Sequence, residues 1–125
     1  MEPNLCKCCS GLYYQDCCKP YHQKQTLPPT PEILMRARYC AYALHQADYL
    51  VATTHPSVRH LHPKSAILAW AKANVWLRLE ICDVANDMVE FKAFYMHKNQ
   101  MHMHHERSTF LKDKQEWYYL KGIHF

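Results

Sequence analysis

Five of the seven cysteines fall within the first eighteen residues, as Cys6-Lys7-Cys8-Cys9-Ser10-Gly11 followed by Cys17-Cys18. That density suits a metal ion. Zinc takes four thiolates at tetrahedral corners, about 2.3 Å from the metal. A Cys-x-Cys pair reaches two corners from one tight turn, and Ser10-Gly11 reverses the chain. A short helical turn over Leu12 to Asp16 then delivers Cys17 and Cys18 to the other two. The expected ligands are Cys6, Cys8, Cys17 and Cys18, with Cys9 and His22 as the residues able to replace one of them. Four protein ligands leave no open position, so the expected zinc is structural. Lys7 and Lys19 stand where they soften the excess negative charge. Other uses of the thiols fit less well. A disulfide between adjacent Cys17 and Cys18 would be strained and needs an oxidising compartment. Cys6 and Cys9 have the spacing of a redox pair without the strand and helix that go with it. An iron–sulfur centre would crowd its ligands.

A second group of residues could serve a pocket. His55, just before Pro56, has the ring chemistry of a general base, or it caps a helix end with a ring hydrogen bond. Strand alternation puts Glu106, Ser108 and Phe110 on one face, and Phe110 argues that this face looks inward. An inward Glu106 could exchange protons; an outward one would be a solvated cross-strand pair. Tyr39, Tyr42, Trp70, Trp76, Phe94 and Trp117 are enough large rings to line an apolar cavity, although such a set is more often plain core. Arg36 and Arg38 point to different sides of one helix, and one of them could pair with Glu106. His102 and His104 share a strand face as a ligand pair, two short of a full set, on what reads as an exposed edge strand. Cys40 and Cys82 read as buried apolar residues.

The elements that must position these residues follow from local signals. Residues 23–31 form a stiff polar connector containing three prolines. A helix follows, with Thr30 as N-cap, Pro31 at the first helical position and Glu32 in the first turn. Ile33, Leu34, Ala37, Ala41 and Leu44 recur along it at helical spacing. A short helix from about Asp48 ends before His55-Pro56, and a third runs from about Pro63 to Asn74. The period then changes to two. Leu77, Leu79 and Ile81 mark one strand, and Val89, Phe91, Ala93 and Tyr95 the next. Met101 to Lys112 makes a long third strand, and Trp117 to Leu120 the last. Helices followed by an antiparallel meander make an α+β domain.

Composition narrows the field. The chain of 125 residues is 49% hydrophobic and 21% charged, a balance that folds as one domain rather than staying disordered. Its net charge of +4 is spread along the chain without a basic run, so nucleic-acid binding, which would fall to Lys7, Lys19 and Lys24, is not expected. No apolar segment has the roughly 20 residues needed to span a bilayer, so no membrane role is expected. No export signal opens the sequence, and the expected compartment is the cytoplasm, where clustered cysteines bind metal. Two glycines cannot build a phosphate-cradling loop or a dinucleotide fingerprint.

Cys-x-Cys-x-Ser-Gly followed by Cys-Cys resembles the SEC-C zinc motif found in the tail of the SecA translocation ATPase. That motif usually has glycine where this chain has Cys9. The resemblance continues through Cys17-Cys18-Lys19-Pro20-Tyr21-His22, Leu34-Met35-Arg36-Ala37-Arg38-Tyr39-Cys40-Ala41-Tyr42, Ala47-Asp48-Tyr49-Leu50, His55-Pro56, His105-Glu106-Arg107-Ser108-Thr109-Phe110-Leu111 and Trp117-Tyr118-Tyr119. These stretches are similar to the bacterial YchJ family, in order and over nearly the whole chain. The resemblance implies a SEC-C knuckle over residues 1–22 and a domain over 31–125 of the nuclear transport factor 2-like, cystatin-like class, a curved antiparallel sheet wrapped around helices to leave a conical pocket. Many family members carry a second knuckle. The family supplies no activity, and folds of this class host enzymes and binding proteins alike. The expected function is therefore a binding or interaction module: the zinc knuckle contacts a protein partner and the cone holds an apolar ligand. The alternatives are a small isomerase or hydrolase using His55 and Glu106, and, behind it, a weak nucleic-acid binder.

Overall fold

The computed structural model describes residues 5–125. A 3-10 turn (Tyr14–Asp16) and a single helical turn α1 (Lys19–His22) complete the cysteine segment. Then come α2 (Pro31–Ala43), α3 (Ala47–Ala52), a 3-10 turn (Pro56–Leu61) and α4 (Lys64–Ala73). Four strands close the chain: β1 (Val75–Ala85), β2 (Met88–His97), β3 (Gln100–Asp113) and β4 (Glu116–His124). They form one antiparallel meander in the order β1-β2-β3-β4. The expected α+β architecture is the observed one, a curved sheet with helices packed on one face. No helix among the described residues is long and apolar enough to cross a membrane.

Helix α2 starts as its sequence dictates: Thr30 accepts a hydrogen bond from Ile33 N–H, and Pro31 occupies the first turn. Its buried surface is wider than the stripe expected from Ile33, Leu34, Ala37, Ala41 and Leu44. Ala37, Cys40 and Ala41 face the cysteine segment and α3, sharing a cluster with Cys6, Cys8, Cys18, Ala47, Tyr49 and Leu50. Leu34, Met35 and Tyr39 face the sheet instead, against Leu79, Val89, Phe91, Ala93 and Phe110. One helix thus serves two cores, while Leu44 is exposed at its end.

The sheet curls because β1 carries an extra residue at Leu77 and at Cys82, and β4 one at Leu120. Register shifts lie between Trp76 and Arg78, between Ile81 and Asp83, and between Thr109 and Phe110. Such bulges bend a strand and increase its twist. Strand β4 runs to His124, four residues past the expected end at Leu120. The polar Lys121-Gly122 pair hides that continuation from a hydrophobicity pattern. The outer edge of β4 is covered where Tyr119 exchanges backbone hydrogen bonds with the chain after α3 (Tyr119 N–H to Thr53 O, 2.7 Å; His55 N–H to Tyr119 O, 2.8 Å). Strand β3 lies between β2 and β4 over residues 106–109, with only β2 beside residues 100–104 and only β4 beside residues 111–113. The expected exposed edge is therefore half of that strand.

Candidate functional site

Two places gather residues with chemistry. The first is the cysteine segment. Leu5 and Tyr13 pair across the turn, Cys6 N–H donates to Leu12 O at 2.8 Å, and Gly11 takes a left-handed φ of +87°. The Sγ atoms of Cys6, Cys8, Cys17 and Cys18 all lie within 4.8 Å of one another. Cys8 and Cys17 are 3.6 Å apart, and Cys17 and Cys18 3.9 Å. Four sulfurs about 2.3 Å from one tetrahedral ion would sit about 3.8 Å apart. The cluster is compatible with metal binding in spacing, number and donor type. Its protons are shared unevenly: burial pushes the Cys17 thiol up to about 11, while a hydrogen bond from Cys18 holds Cys6 down to about 6.

The two residues able to replace a ligand have other work. His22 donates from Nε2 to Ala37 O at 2.8 Å and accepts at Nδ1 from the Tyr14 hydroxyl at 2.8 Å, so neither ring nitrogen is free for a metal. Cys9 accepts at Sγ from Leu79 N–H of β1 at 3.4 Å. Its φ is +66°, the left-handed region that glycine enters without strain, which accounts physically for the glycine usual at that place in the motif. The fifth thiol near the cluster is Cys40 of α2, whose Sγ is 3.7 Å from that of Cys6. It is buried as expected, but against sulfur. Arg36, one turn earlier, donates to Cys8 O at 2.9 Å and pairs with Glu32. The knuckle is thus fastened to α2 by Arg36, His22 and packing around Cys40. Cys82 is exposed, contrary to expectation, because it sits on the outer face of β1.

The second place is a cavity of about 410 Å³ between α2, α4 and the concave face of the sheet, a size that suits a small ligand. Of the residues expected to line it, Tyr39, Tyr42, Trp70, Trp76 and Ser108 do, joined by Met35, Ile67 and Phe91. Phe94 does not: alternation along β2 turns it to the opposite face, where the Arg78 guanidinium lies 3.9 Å from its ring centre. Trp117 packs at the rim of the sheet-side core and beside Lys112, away from the cavity. Trp76, Trp70 and Tyr95 form a group of tilted and edge-on rings at one end.

The polar wall is richer than expected. Glu106 points inward, buried to 7% exposure, with Ser108 beneath it. His62, His104, His124, Thr54, Tyr119 and Arg38 share the same cavity. His104 Nε2 meets Glu106 Oε1 at 2.8 Å, whereas Ser108 and Tyr119 donate their hydroxyls to Oε2. Burial alone would raise the Glu106 carboxyl, but the hydrogen bonds from His104 and Ser108, helped by the charges of His104 and His124, hold it below its usual range. His62 is also held low, first by burial and then by the positive charge of Arg38.

His55 does not reach this cavity. Its Nδ1 accepts from Ser57 N–H and caps the 3-10 turn, and its Nε2 donates to Asp113 Oδ2 at 3.0 Å. The capping reading of His55 is the observed one, and the pairing of His55 with Glu106 in one catalytic cavity is not. Neither arginine of α2 pairs with Glu106. Arg38 spends one nitrogen on Leu50 O and the Thr53 hydroxyl, at 3.0 and 2.7 Å, and lies over the Tyr119 ring.

Comparison with known proteins agrees with this geometry. Residues 30–122 match the family described as YchJ, middle NTF2-like domain. A UPF0225 protein of Serratia proteamaculans is 40% identical over 128 residues, covering 96% of this chain and 83% of its own length. Another, from Actinobacillus succinogenes, is 39% identical over 122 residues, covering 93% and 79%. The solution structure of a SEC-C motif-containing protein from Rhodopseudomonas palustris superposes with a TM-score of 0.89 at 37% identity, covering 94% of this chain and 96% of that one. The crystal structure of a SEC-C motif-containing protein from Psychrobacter arcticus gives 0.81 at 34%, covering 97% and 81%. The chain belongs to the YchJ (UPF0225) family, with a nuclear transport factor 2-like domain carrying a SEC-C-type cysteine cluster.

Proposed function

We propose that this chain is a small-molecule-binding protein whose knuckle holds a structural zinc ion and whose cone takes a ligand with an anionic end and an apolar, ring-sized body. The observation that carries the cone reading is Arg38. It is 6% exposed, it lines the cavity, and among the described residues no carboxylate lies within ion-pairing range of it. Its hydrogen bonds to protein all leave from one terminal nitrogen. A guanidinium buried without a counter-ion is costly, and a ligand carboxylate received in its planar fork offsets that cost. Tyr39, Tyr42, Trp70 and Trp76 supply the apolar wall beside it.

The zinc reading rests on donor chemistry. Four sulfurs with no oxygen donor among them favour zinc over magnesium or calcium, and a set of free thiols belongs in a reducing compartment such as the cytosol. Cys6, Cys8, Cys17 and Cys18 would hold the ion. Bound there, zinc supplies cross-linking rather than reactivity, because all four positions are protein ligands.

The test of the cone is a titration followed by tryptophan fluorescence, since Trp70 and Trp76 line the cavity. Indole-3-acetate and benzoate should shift the signal where neutral indole and benzyl alcohol act at least tenfold more weakly, and Arg38→Gln should erase the difference. No response to any of the four up to about 10 mM, with the wild type folded, would remove the ligand reading.

A second reading concerns the outside of the knuckle. Leu5, Leu12 and Tyr13 are exposed there, and we propose that they form the surface through which it meets a protein partner. Pull-down with Leu12→Asp against wild type is the check, and an identical partner set would discard this surface.

A further inference from the structure

At the mouth of the cone three metal-ligating side chains converge well away from the knuckle. His104 Nε2 lies 2.8 Å and His124 Nδ1 3.7 Å from the same oxygen, Glu106 Oε1, and all three ligand atoms lie within 4.8 Å of one another. Ligands about 2.1 Å from a shared ion sit about 3.0 Å apart at octahedral angles and about 3.4 Å at tetrahedral ones. The observed separations bracket those values. We propose that His104, Glu106 and His124 form a second metal site, binding a divalent first-row transition ion with its remaining coordination positions open to the cavity.

Sheet register builds the group. Glu106 and His124 are directly opposed across β3 and β4, and His104 precedes Glu106 by two residues on the same face. The carboxylate is also oriented from behind. Ser108 and Tyr119 both donate to Oε2, which leaves Oε1 facing the histidines, as outer hydrogen bonds orient a ligating carboxylate. Gly122 completes the support: a Cβ there would run into the Glu106 carboxylate, so the carboxylate keeps this place only with glycine beside it.

Charge points the same way. Among the described residues the ion-pair partners of buried Glu106 are His104 and His124, with no lysine or arginine. A divalent ion more than offsets the single negative charge of the buried carboxylate. The contrast is the outer-face group of Cys82, Glu90 and His105, where Arg107 already gives two N–H bonds to Glu90 Oε1. His124 is 62% exposed, so an ion can enter from solvent. Two imidazoles and one carboxylate suit zinc, iron(II), cobalt or nickel, and three protein ligands leave open positions where the knuckle leaves none. This inference does not depend on what Arg38 binds.

The experiment adds cobalt(II) to the full chain after its thiolate site has been saturated with zinc. One equivalent should bind with visible ligand-field bands and no near-ultraviolet thiolate-to-cobalt charge transfer. His124→Ala, a change at an exposed position, should weaken that binding at least tenfold while the zinc content holds at one per chain. Glu90→Gln, on the outer face, should leave it unchanged. The proposal is overturned if the zinc-loaded wild type takes up no cobalt at about 1 mM. It is equally overturned if His124→Ala binds cobalt as well as wild type, or if Glu90→Gln is the variant that loses it.

Discussion

The knuckle and the mouth of the cone both gather metal-ligating side chains, yet they are assembled at different ranges along the chain. The thiolates come from one short stretch, Cys6 to Cys18, and a tight turn is enough to bring them together. The cone's group needs two strands in correct register before His104, Glu106 and His124 can meet. Each place uses one of the chain's two glycines: Gly11 for a left-handed turn, Gly122 for close passage beside a carboxylate. The difference teaches that a local cluster is limited by its own lack of core, whereas a sheet-borne cluster inherits the rigidity of its scaffold. The knuckle overcomes its limit by sharing a hydrophobic cluster with α2 and α3.

That sharing gives the largest expected effect. Because Cys6, Cys8 and Cys18 are part of a core that includes Ala37, Cys40 and Leu50, loss of the proposed zinc ion should destabilise the whole chain rather than fray its start. Cys8→Ser, or chelation of wild type, should lower Tm by about 10 °C or more in a single transition. A two-step melt with an unchanged upper transition would show instead that knuckle and cone are independent, and the comparison would break there.

Gly122→Ala strikes the other region. The added methyl meets the Glu106 carboxylate, so either β4 shifts or the side chain leaves its place between Ser108 and His104. Overpacking of this kind costs about 1–3 kcal/mol. Thermal unfolding should register that loss while the thiolate metal stays at full stoichiometry. A variant as stable as wild type would mean that Glu106 is held less tightly than its contacts imply.

Legibility followed the same division by range. The clustering of four cysteines, the cap of α2 at Thr30 and the inward face of Glu106, Ser108 and Phe110 are readable because each depends on residues close by in the chain. Phe94 turns from the cavity because alternation from the inward Phe91 and Ala93 puts it on the opposite face, a constraint that aromatic content alone does not carry. In the sequence His104 reads only as half of a pair with His102. Its partners, Glu106 and His124, emerge once the β3–β4 hairpin is drawn in register, counting back from the turn after Asp113 and allowing for the bulge at Leu120. No local signal announces that bulge. In the sequence Arg38 reads only as a partner for Glu106, since nothing in a single helix shows that a carbonyl of α3 and the threonine after it will receive one end of it.

The junction between the two regions is pH-sensitive in a definite direction. Burial pushes the His22 ring below its ordinary pKa, against the opposing pull of its bond to Ala37 O and the nearby Cys8 charge. A lowered folded pKa means that the contribution of His22 is complete above about pH 6.5, the unfolded value, and is lost as pH falls through the folded one. Protonation would also remove the lone pair that accepts from Tyr14. Between pH 7 and pH 5.5 the Tm of wild type should therefore fall further than that of His22→Gln. Parallel curves would show that His22 is not what makes the docked knuckle acid-sensitive.

The smallest effect separates two roles of one residue. Cys9 carries a left-handed backbone and also accepts the Leu79 N–H that ties the knuckle to β1. Cys9→Ala removes the sulfur and keeps the strain, whereas Cys9→Gly removes both. A left-handed non-glycine residue costs about 1–2 kcal/mol, and glycine gives back about 0.5–1 kcal/mol through the freedom of the unfolded chain. Glycine should therefore melt above alanine by a few degrees, with metal content equal in both. If alanine melted at or above glycine, the turn would not be strained at Cys9, and the glycine usual in such knuckles would need another reason.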